Sequence, residues 1–419
     1  MDTPPEATTP GKGSPRSIGL GLVLLCLGST LIVGFAAKAP CVSGDWSDGR
    51  QYRLLCYTDI IPLLTTEQLA GGRLPFIDAC TTIPDQRCDE YPVLTMYFMR
   101  AAGWFSDANY RGFFAANATL LWLCAALVTV ALYAVVGVRA LYFALAPTLL
   151  VYGTMNWDLL AVALATAALV SFFDGRDVMA GVLLGLGASA KFYPAMLALP
   201  LIAQRLQDQQ PDRGIRLGWG AAGSWIVVNV PFMIAAPSAW LTFFRFNSQR
   251  CADFDSLWAI GWRYLHDGAG AACSQTATIN VASFTALMLL VIVVWWAKQC
   301  RFPDFPRWTL AFPILVAFLL TSKVYSPQYG LWLLPLFALA LPGLRTFVAF
   351  SLTDLAVFVT RFRWFGHLAG TSGVQQWMFE LAVVLRAAVL VWCLLQWIRR
   401  EPEVLPSFEP DGELGMAPA

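Results

Sequence analysis

Long apolar runs are the feature of this sequence that most constrains its fold. The first covers residues 18–37, and later runs lie at about 112–138, 140–155, 157–173, 178–190, 192–204, 216–236, 278–298, 308–322, 327–342, 346–360 and 376–398. A helix needs roughly 17–25 apolar residues to cross the hydrocarbon core of a bilayer. The pattern therefore predicts an all-α polytopic membrane protein with about 12 transmembrane helices.

The scarcity of charge supports this fold class. Charged residues make up 13% of the 419 residues, and 28 Lys and Arg nearly balance 27 Asp and Glu. Soluble proteins carry about 25% charged residues, and a nucleic-acid-binding protein needs a basic excess. The composition excludes a soluble enzyme, a disordered chain and a nucleic-acid partner, and it leaves membrane lipids as the surroundings.

Basic residues in the short loops predict the orientation, because Lys and Arg concentrate on the cytoplasmic side. Both termini are predicted to be cytoplasmic in the plasma membrane, with disordered tails at 1–16 and 401–419. The membrane domain then covers 17–400, with long outer loops at 38–111 and 237–277. The first apolar run exceeds the roughly 7–15 residues of a signal-peptide core, so it is interpreted as a retained signal-anchor.

Cysteine usage agrees with this orientation. Six of the ten cysteines fall in the two long outer loops, where disulfides can form. Pairing between sequence neighbours is one of about 15 connectivities, and it would join Cys41 to Cys56, Cys80 to Cys88 and Cys251 to Cys273. The other four cysteines are expected to pack as inert apolar residues.

Loop 38–111 contains the first candidates for chemistry. Asp59 lies beside Tyr57, and Glu90 lies beside Tyr91, each close to a point where the chain returns to the membrane. A carboxylate in such a place can act as a general base on a hydroxyl. Local chemistry alone favours the alternative, in which both acids cap helices or pair with arginines at a wet surface.

Further polar residues recur at the same predicted outer face. A single Lys or Arg there is usually a snorkelling anchor, but recurrence on one side predicts an outward cavity. Cations at that depth suit a phosphate or diphosphate group, and aromatic residues suit sugar or lipid. The set comprises Asn156, Asp158, Lys191, Tyr193, Lys323, Tyr325, Gln328, Arg361 and Arg363.

Two short-helix pairs and one buried acid–base pair complete the candidates. The runs flanking Asn156 and Lys191 are too short for a full crossing, so they are expected to be kinked or to end in a water-filled cavity. Asp354 and Arg386 lie in the middle of the last two apolar segments. Because neither is near the outer cluster, an ion pair joining these helices is the preferred interpretation.

The order of an N-terminal helix, a long outer loop with an early Asp and then many helices resembles the GT-C superfamily of polyprenyl-phosphate-sugar-dependent glycosyltransferases. More specifically, it resembles the actinobacterial glycosyltransferase family 87, which includes mannosyltransferases of the cell envelope. The matching segments are YTDI at 57–60, EYPVLT at 90–95, NWDLLA at 156–161, GLGASAKFYP at 185–194 and YSPQY at 325–329.

The resemblance implies a GT-C-like bundle and an inverting transfer of mannose or arabinofuranose. The donor would be a polyprenyl phosphate sugar, and the acceptor a hydroxyl of a glycolipid or glycan. Asp59 would be the catalytic base. Lys191, Lys323, Tyr325 and Gln328 would stabilise the charge of the departing phosphate, and Glu90 and Asp158 would bind sugar or acceptor hydroxyls. The other expected substrate-binding residues are Tyr91, Asn156, Tyr193, Arg361 and Arg363.

The resemblance implies no cofactor. Some GT-C enzymes use paired acids and a divalent metal, but Asp59 has no adjacent acid, so no metal is expected. Asp89 and Glu90 are the one neighbouring acid pair that could change this expectation.

A secondary transporter or lipid flippase is the alternative function, because short helices interrupted by Gly and Pro also suit a transporter. Against it, no internal repeat relates the two halves, and the long Cys-bearing loop is an unusual addition to a carrier. The absence of a P-loop and of a Rossmann fingerprint argues against ATP-driven transport. A membrane scaffold would explain neither the loop nor the outer cations.

Overall fold

The computed structural model describes residues 15–80, 88–106, 109–266, 273, 275–341 and 343–401. All regular structure in these ranges is helical, as the apolar runs predict. Nearly all of both predicted tails, residues 1–14 and 402–419, lies outside the described residues. The all-α fold class is confirmed.

Helices α1 to α19 follow one another along the chain. In order they are Pro15–Lys38, Arg50–Arg53, Ile60–Thr66, Val93–Trp104, Tyr110–Val136, Leu141–Ala144, Pro147–Tyr152, Asp158–Phe173, Asp177–Ala190, Tyr193–Gln207, Pro211–Ala235, Pro237–Trp240, Thr242–Gln249, Leu257–His266, Thr276–Arg301, Ala311–Thr321, Leu334–Leu339, Leu344–Leu368 and Gln376–Arg399. Tight 3-10 turns connect several of them, including Pro327–Leu333 before α17.

Among the residues that the structure describes, five helical stretches are long and apolar enough to cross a membrane, which supports an integral membrane protein. They are Gly19–Cys41, Tyr110–Ala144, Pro211–Ala235, Thr276–Arg301 and Gln376–Arg399. The helix α18 is equally long but carries several charged residues. A total of twelve crossings therefore stays a prediction.

The short helices lie inside the bundle. Most side chains of α8 and α9 are buried, and α8 packs between α5 and α9. A helix that ends before crossing the hydrocarbon exposes unpaired backbone groups, which is tolerated only where protein or water surrounds them. Their burial explains why the runs near Asn156 and Lys191 can be shorter than a full span.

The helices α9 and α11 pack closely against each other, and glycine makes this approach possible. A Cβ atom on Gly181 would lie 2.1 Å from the carbonyl oxygen of Leu217, and one on Gly185 would lie 2.2 Å from that of Ala221. Small residues at such positions let membrane helices pack backbone against backbone. This pair supports the end of α9, from which Lys191 projects.

We expect Gly181→Ala to lower the free energy of unfolding by about 1–3 kcal/mol, because the added methyl group must push the two helices apart. Thermal unfolding in detergent micelles would measure the change. Gly223→Ala is the matched control, since Gly223 lies in α11, the partner helix of this pair, and a Cβ there meets no atom within 4 Å. Equal melting temperatures for the two variants would contradict the tight contact.

The three disulfides join Cys41 to Cys56, Cys80 to Cys88 and Cys251 to Cys273. The predicted pairing between sequence neighbours is thus confirmed. Each bridge closes a short stretch of one of the two long loops. The loops are therefore fixed covalently near the segments that approach the membrane helices.

Candidate active site

Asp59 is held against the turn between α7 and α8. Its backbone N–H donates to the carbonyl oxygen of Met155 at 2.8 Å, and the hydroxyl of Thr58 donates to the carbonyl oxygen of Thr154 at 2.8 Å. Lys38, at the end of α1, donates to the carbonyl oxygen of Tyr57 at 2.7 Å. These hydrogen bonds hold the backbone of residues 57–59, which carries the Asp59 side chain.

Both oxygens of the Asp59 carboxylate accept hydrogen bonds. The hydroxyl of Tyr57 donates to Oδ1 at 2.9 Å, and the amide of Asn156 donates to Oδ2 at 2.7 Å. The same amide nitrogen donates to the hydroxyl oxygen of Tyr91 at 2.7 Å. Burial raises the pKa of the Asp59 carboxyl above its usual value, and the bonds from Asn156 and Tyr57 oppose that rise. Each oxygen retains a lone pair for a substrate proton.

Lys191 supplies a cation close to this acid. It follows the last residue of α9, and its Nζ lies 3.3 Å from Oδ2 of Asp158. Oδ1 of Asp158 accepts from the indole of Trp332 at 2.8 Å. The ammonium lies 5.2 Å from the ring centre of Tyr91 and 5.6 Å from that of Tyr329. Carboxylate and aromatic rings together hold the charge of Lys191 in a fixed place.

A cavity of about 870 Å³ joins these groups. Its volume lies within the roughly 300–1,000 Å³ that is typical of ligand sites. Eight of the residues proposed from the sequence line it, namely Asp59, Glu90, Tyr91, Asn156, Lys191, Tyr193, Gln328 and Arg361. The remaining wall is largely aromatic and includes Tyr52, Tyr57, Tyr329, Trp332, Phe362 and Phe365.

Four proposed residues do not line the cavity. Asp158 is fully buried and binds Lys191 rather than facing the open space. Lys323 donates from Nζ to the carbonyl oxygens of Ser248 and Arg250, and Tyr325 lies under Arg386. Arg363 also lies outside the lining residues. A sequence places these residues near a helix end but does not tell which way each side chain points.

The second long loop contributes residues that the sequence interpretation missed. Arg250 and Asp253 line the cavity and form an ion pair with a 3.1 Å separation. Arg361 pairs with Asp255 and lies 3.7 Å from Asp253. Two further cations therefore lie at the cavity besides Lys191. The one available signal was that Arg250 and Asp253 flank the loop cysteine Cys251.

Asp89 belongs to a separate buried cluster. Its carboxylate accepts from Arg73 at 2.7 Å, and its backbone N–H donates to Glu67 at 2.7 Å. The backbone N–H of Glu90 also donates to Glu67. Asp89 therefore has its partner in Arg73 and does not join Asp59, and the cluster fixes the segment from which Glu90 reaches the cavity.

The family model described as glycosyltransferase family 87 matches residues 90–327, which is more than half of the chain. This protein belongs to glycosyltransferase family 87. The resemblance inferred from the sequence motifs is thereby confirmed, and the chain is a membrane glycosyltransferase rather than a carrier. The matched range includes Glu90, Asn156 and Lys191; Asp59, Gln328 and Arg361 lie outside it.

Among solved structures, the chain is similar to ArnT from Cupriavidus metallidurans, whose crystal structure was determined with undecaprenyl phosphate bound. The identity is 15%, the TM-score is 0.45, and the match covers 90% of this chain and 76% of ArnT. No curated protein sequence matches this chain.

Proposed function

We propose that this glycosyltransferase moves a sugar from a polyprenyl phosphate donor to a hydroxyl of a glycolipid or glycan acceptor, with inversion at the anomeric carbon. The observation that carries the proposal is the Asp59 carboxylate, oriented by Tyr57 and Asn156 in a cavity that also holds Lys191. A fixed base and a fixed cation are the two groups that such a transfer requires. Mannose and arabinofuranose are the proposed sugars.

Asp59 would act as the general base. The acceptor oxygen forms a bond to the anomeric carbon as its proton passes to the Asp59 carboxylate, and the bond from that carbon to the phosphate oxygen breaks. Because attack and departure occur on opposite faces of the sugar, one displacement inverts the configuration. One carboxylate suffices for this step.

Lys191 would stabilise the charge on the departing lipid phosphate. Asp158 and Trp332 fix its ammonium, so little reorganisation is needed when negative charge develops. Gln328 and Arg361 line the same cavity and are proposed as further phosphate contacts. Glu90, Tyr91 and Tyr193 would contact sugar or acceptor hydroxyls in the same cavity.

The loops around the cavity support an extracytoplasmic site. All three disulfides lie in the two long loops that supply Asp59, Glu90 and Arg250. Disulfides persist in oxidising compartments and are rare in the cytosol. We therefore propose that the cavity opens at the outer face of the plasma membrane, with both termini cytoplasmic.

Reconstituted protein tests the proposed function. Liposomes containing the protein, a polyprenyl phosphate sugar and a glycolipid acceptor should form one glycosylated product for each polyprenyl phosphate released, with inverted configuration by NMR. A nucleotide sugar in place of the lipid donor is the control. Absence of transfer from both mannosyl and arabinofuranosyl lipid donors, or a product of retained configuration, would contradict the proposal.

The pH dependence should report on Asp59. Only the ionised carboxylate is a base, so kcat should fall as the pH drops through its pKa, which burial raises. Asn156→Ala removes a bond to the ionised form, so the acid limb of the kcat profile should move to higher pH. A limb at the wild-type position in this variant would show that Asn156 does not support the charge of Asp59.

A further inference from the structure

The buried ion pair between α18 and α19 contacts two parts of the chain that lead to the cavity. Nη1 of Arg386 is 3.1 Å from Oδ1 of Asp354, and the two side chains are 1% and 0% exposed. This matches the pair expected from the sequence. Both residues lie outside the range matched by the family model, and neither lines the cavity.

Asp354 contacts the helix that leads to Asn156. The hydroxyl of Thr148 donates to Oδ2 of Asp354 at 2.9 Å, and that of Tyr152 donates to its backbone carbonyl oxygen at 3.3 Å. Both donors belong to α7, and the turn after α7 carries Met155 and Asn156. Those two residues hold the backbone and the carboxylate of Asp59. The turn that holds Asp59 is thus connected to Asp354 through α7.

The same pair holds both ends of a cavity-lining segment. The guanidinium of Arg386 lies 3.7 Å from the ring centre of Tyr325. At the other end, Asp354 packs so closely on Gly330 that a Cβ there would lie 2.6 Å from Oδ2. All four intervening residues line the cavity, from Ser326 to Tyr329. Arg386 and Asp354 therefore position Gln328 and Tyr329 by contacts at the two ends of this segment.

Stability alone does not account for this arrangement. Replacing a buried ion pair by uncharged residues of similar volume is often neutral or stabilising, because burial removes both charges from water. What an apolar pair could not supply is the set of directional contacts to α7, Tyr325 and Gly330.

On this geometry, and resting on the proposed function, we propose that Asp354 and Arg386 are positioning residues. They set the turn that carries Asn156 and the segment that carries Gln328 and Tyr329 relative to Asp59. A displacement of about 1 Å at a reacting group can lower a rate by roughly a hundredfold. Loss of the pair should therefore lower kcat without unfolding the protein.

The test is the double variant Asp354→Asn/Arg386→Met, in which Asn keeps an acceptor for Thr148 and no charge is left unpaired. We expect a melting temperature close to that of the wild type and a kcat lower by about ten- to a hundredfold. In an Asn156→Ala background the same double change should cost less, because the part of its effect that passes through α7 acts on Asn156. Independent effects would multiply instead.

Lys298→Met is the matched control. Lys298 is also a buried cation at a helix interface, donating to the carbonyl oxygens of Trp397 and Arg400 away from the cavity. It should lower the melting temperature and leave kcat of the folded protein unchanged. If the double variant does not fold, Arg386→Lys is the decisive test of the proposal. This variant keeps the positive charge and loses the guanidinium that lies over the ring of Tyr325. A lower kcat at an unchanged melting temperature in that variant supports the proposal.

Two results would overturn the proposal. One is wild-type kcat in a folded double variant or in Arg386→Lys. The other is a loss that multiplies fully with that of Asn156→Ala. Absence of transfer by the wild type would instead count against the proposed function, so the two failures are distinguishable.

Discussion

Asp59→Asn should lower kcat of glycosyl transfer by about 10²–10⁴-fold, the range that general-base catalysis contributes. Asn has the same shape, and its one oxygen can still accept from the amide of Asn156 while its NH2 group donates to the hydroxyl oxygen of Tyr57. It cannot take the proton of the acceptor hydroxyl. The fold should remain intact, because the backbone contact to Met155 is unchanged. Initial rates in liposomes at saturating donor and acceptor, with melting temperatures measured in parallel, would give the comparison.

Asp45→Asn is the matched control for that variant. Asp45 lies in the same loop, is exposed, and its carboxylate accepts from the backbone N–H and the hydroxyl of Ser47. Its variant should retain the wild-type rate. Wild-type activity of Asp59→Asn in folded protein would remove Asp59 as the base and would leave Glu90 as the remaining proposed acid on the cavity wall.

Much of the architecture follows from the sequence because bilayers impose simple rules. Apolar runs predict helices, and the scarcity of charge makes the few polar residues near membrane edges conspicuous. For this reason the sequence alone indicates Asp59, Asn156 and Lys191 as parts of one site. The disulfide pairing could also be predicted, because the two cysteines of each pair are close in sequence.

The direction of individual side chains could not be predicted in the same way. Lys191 and Lys323 both follow short apolar helices, yet one reaches the cavity and the other binds carbonyl oxygens of the second loop. Arg250 was missed because its loop gave no periodic pattern from which to place it. Such contacts depend on how distant segments fold back, which periodicity and composition do not encode.

Lys191→Gln should lower kcat by about 10²–10³-fold, comparable to the loss of one electrostatic stabiliser of a developing anion. The charge on the lipid phosphate grows as its bond to the sugar breaks, so the cation contributes more to the transition state than to the bound donor. The loss should therefore appear in kcat, not in KM alone. A rise in KM with unchanged kcat would show that Lys191 only binds the donor.

The controls separate charge stabilisation from folding. Lys191→Gln leaves the buried carboxylate of Asp158 without its cation, which can itself destabilise the protein. The double variant Lys191→Gln/Asp158→Asn removes that unpaired charge and should recover the melting temperature but not kcat. Arg363→Gln, at a cation outside the cavity lining, should retain both. Recovery of kcat in the double variant would mean that neutrality at Asp158, and not the ammonium of Lys191, is what the reaction needs.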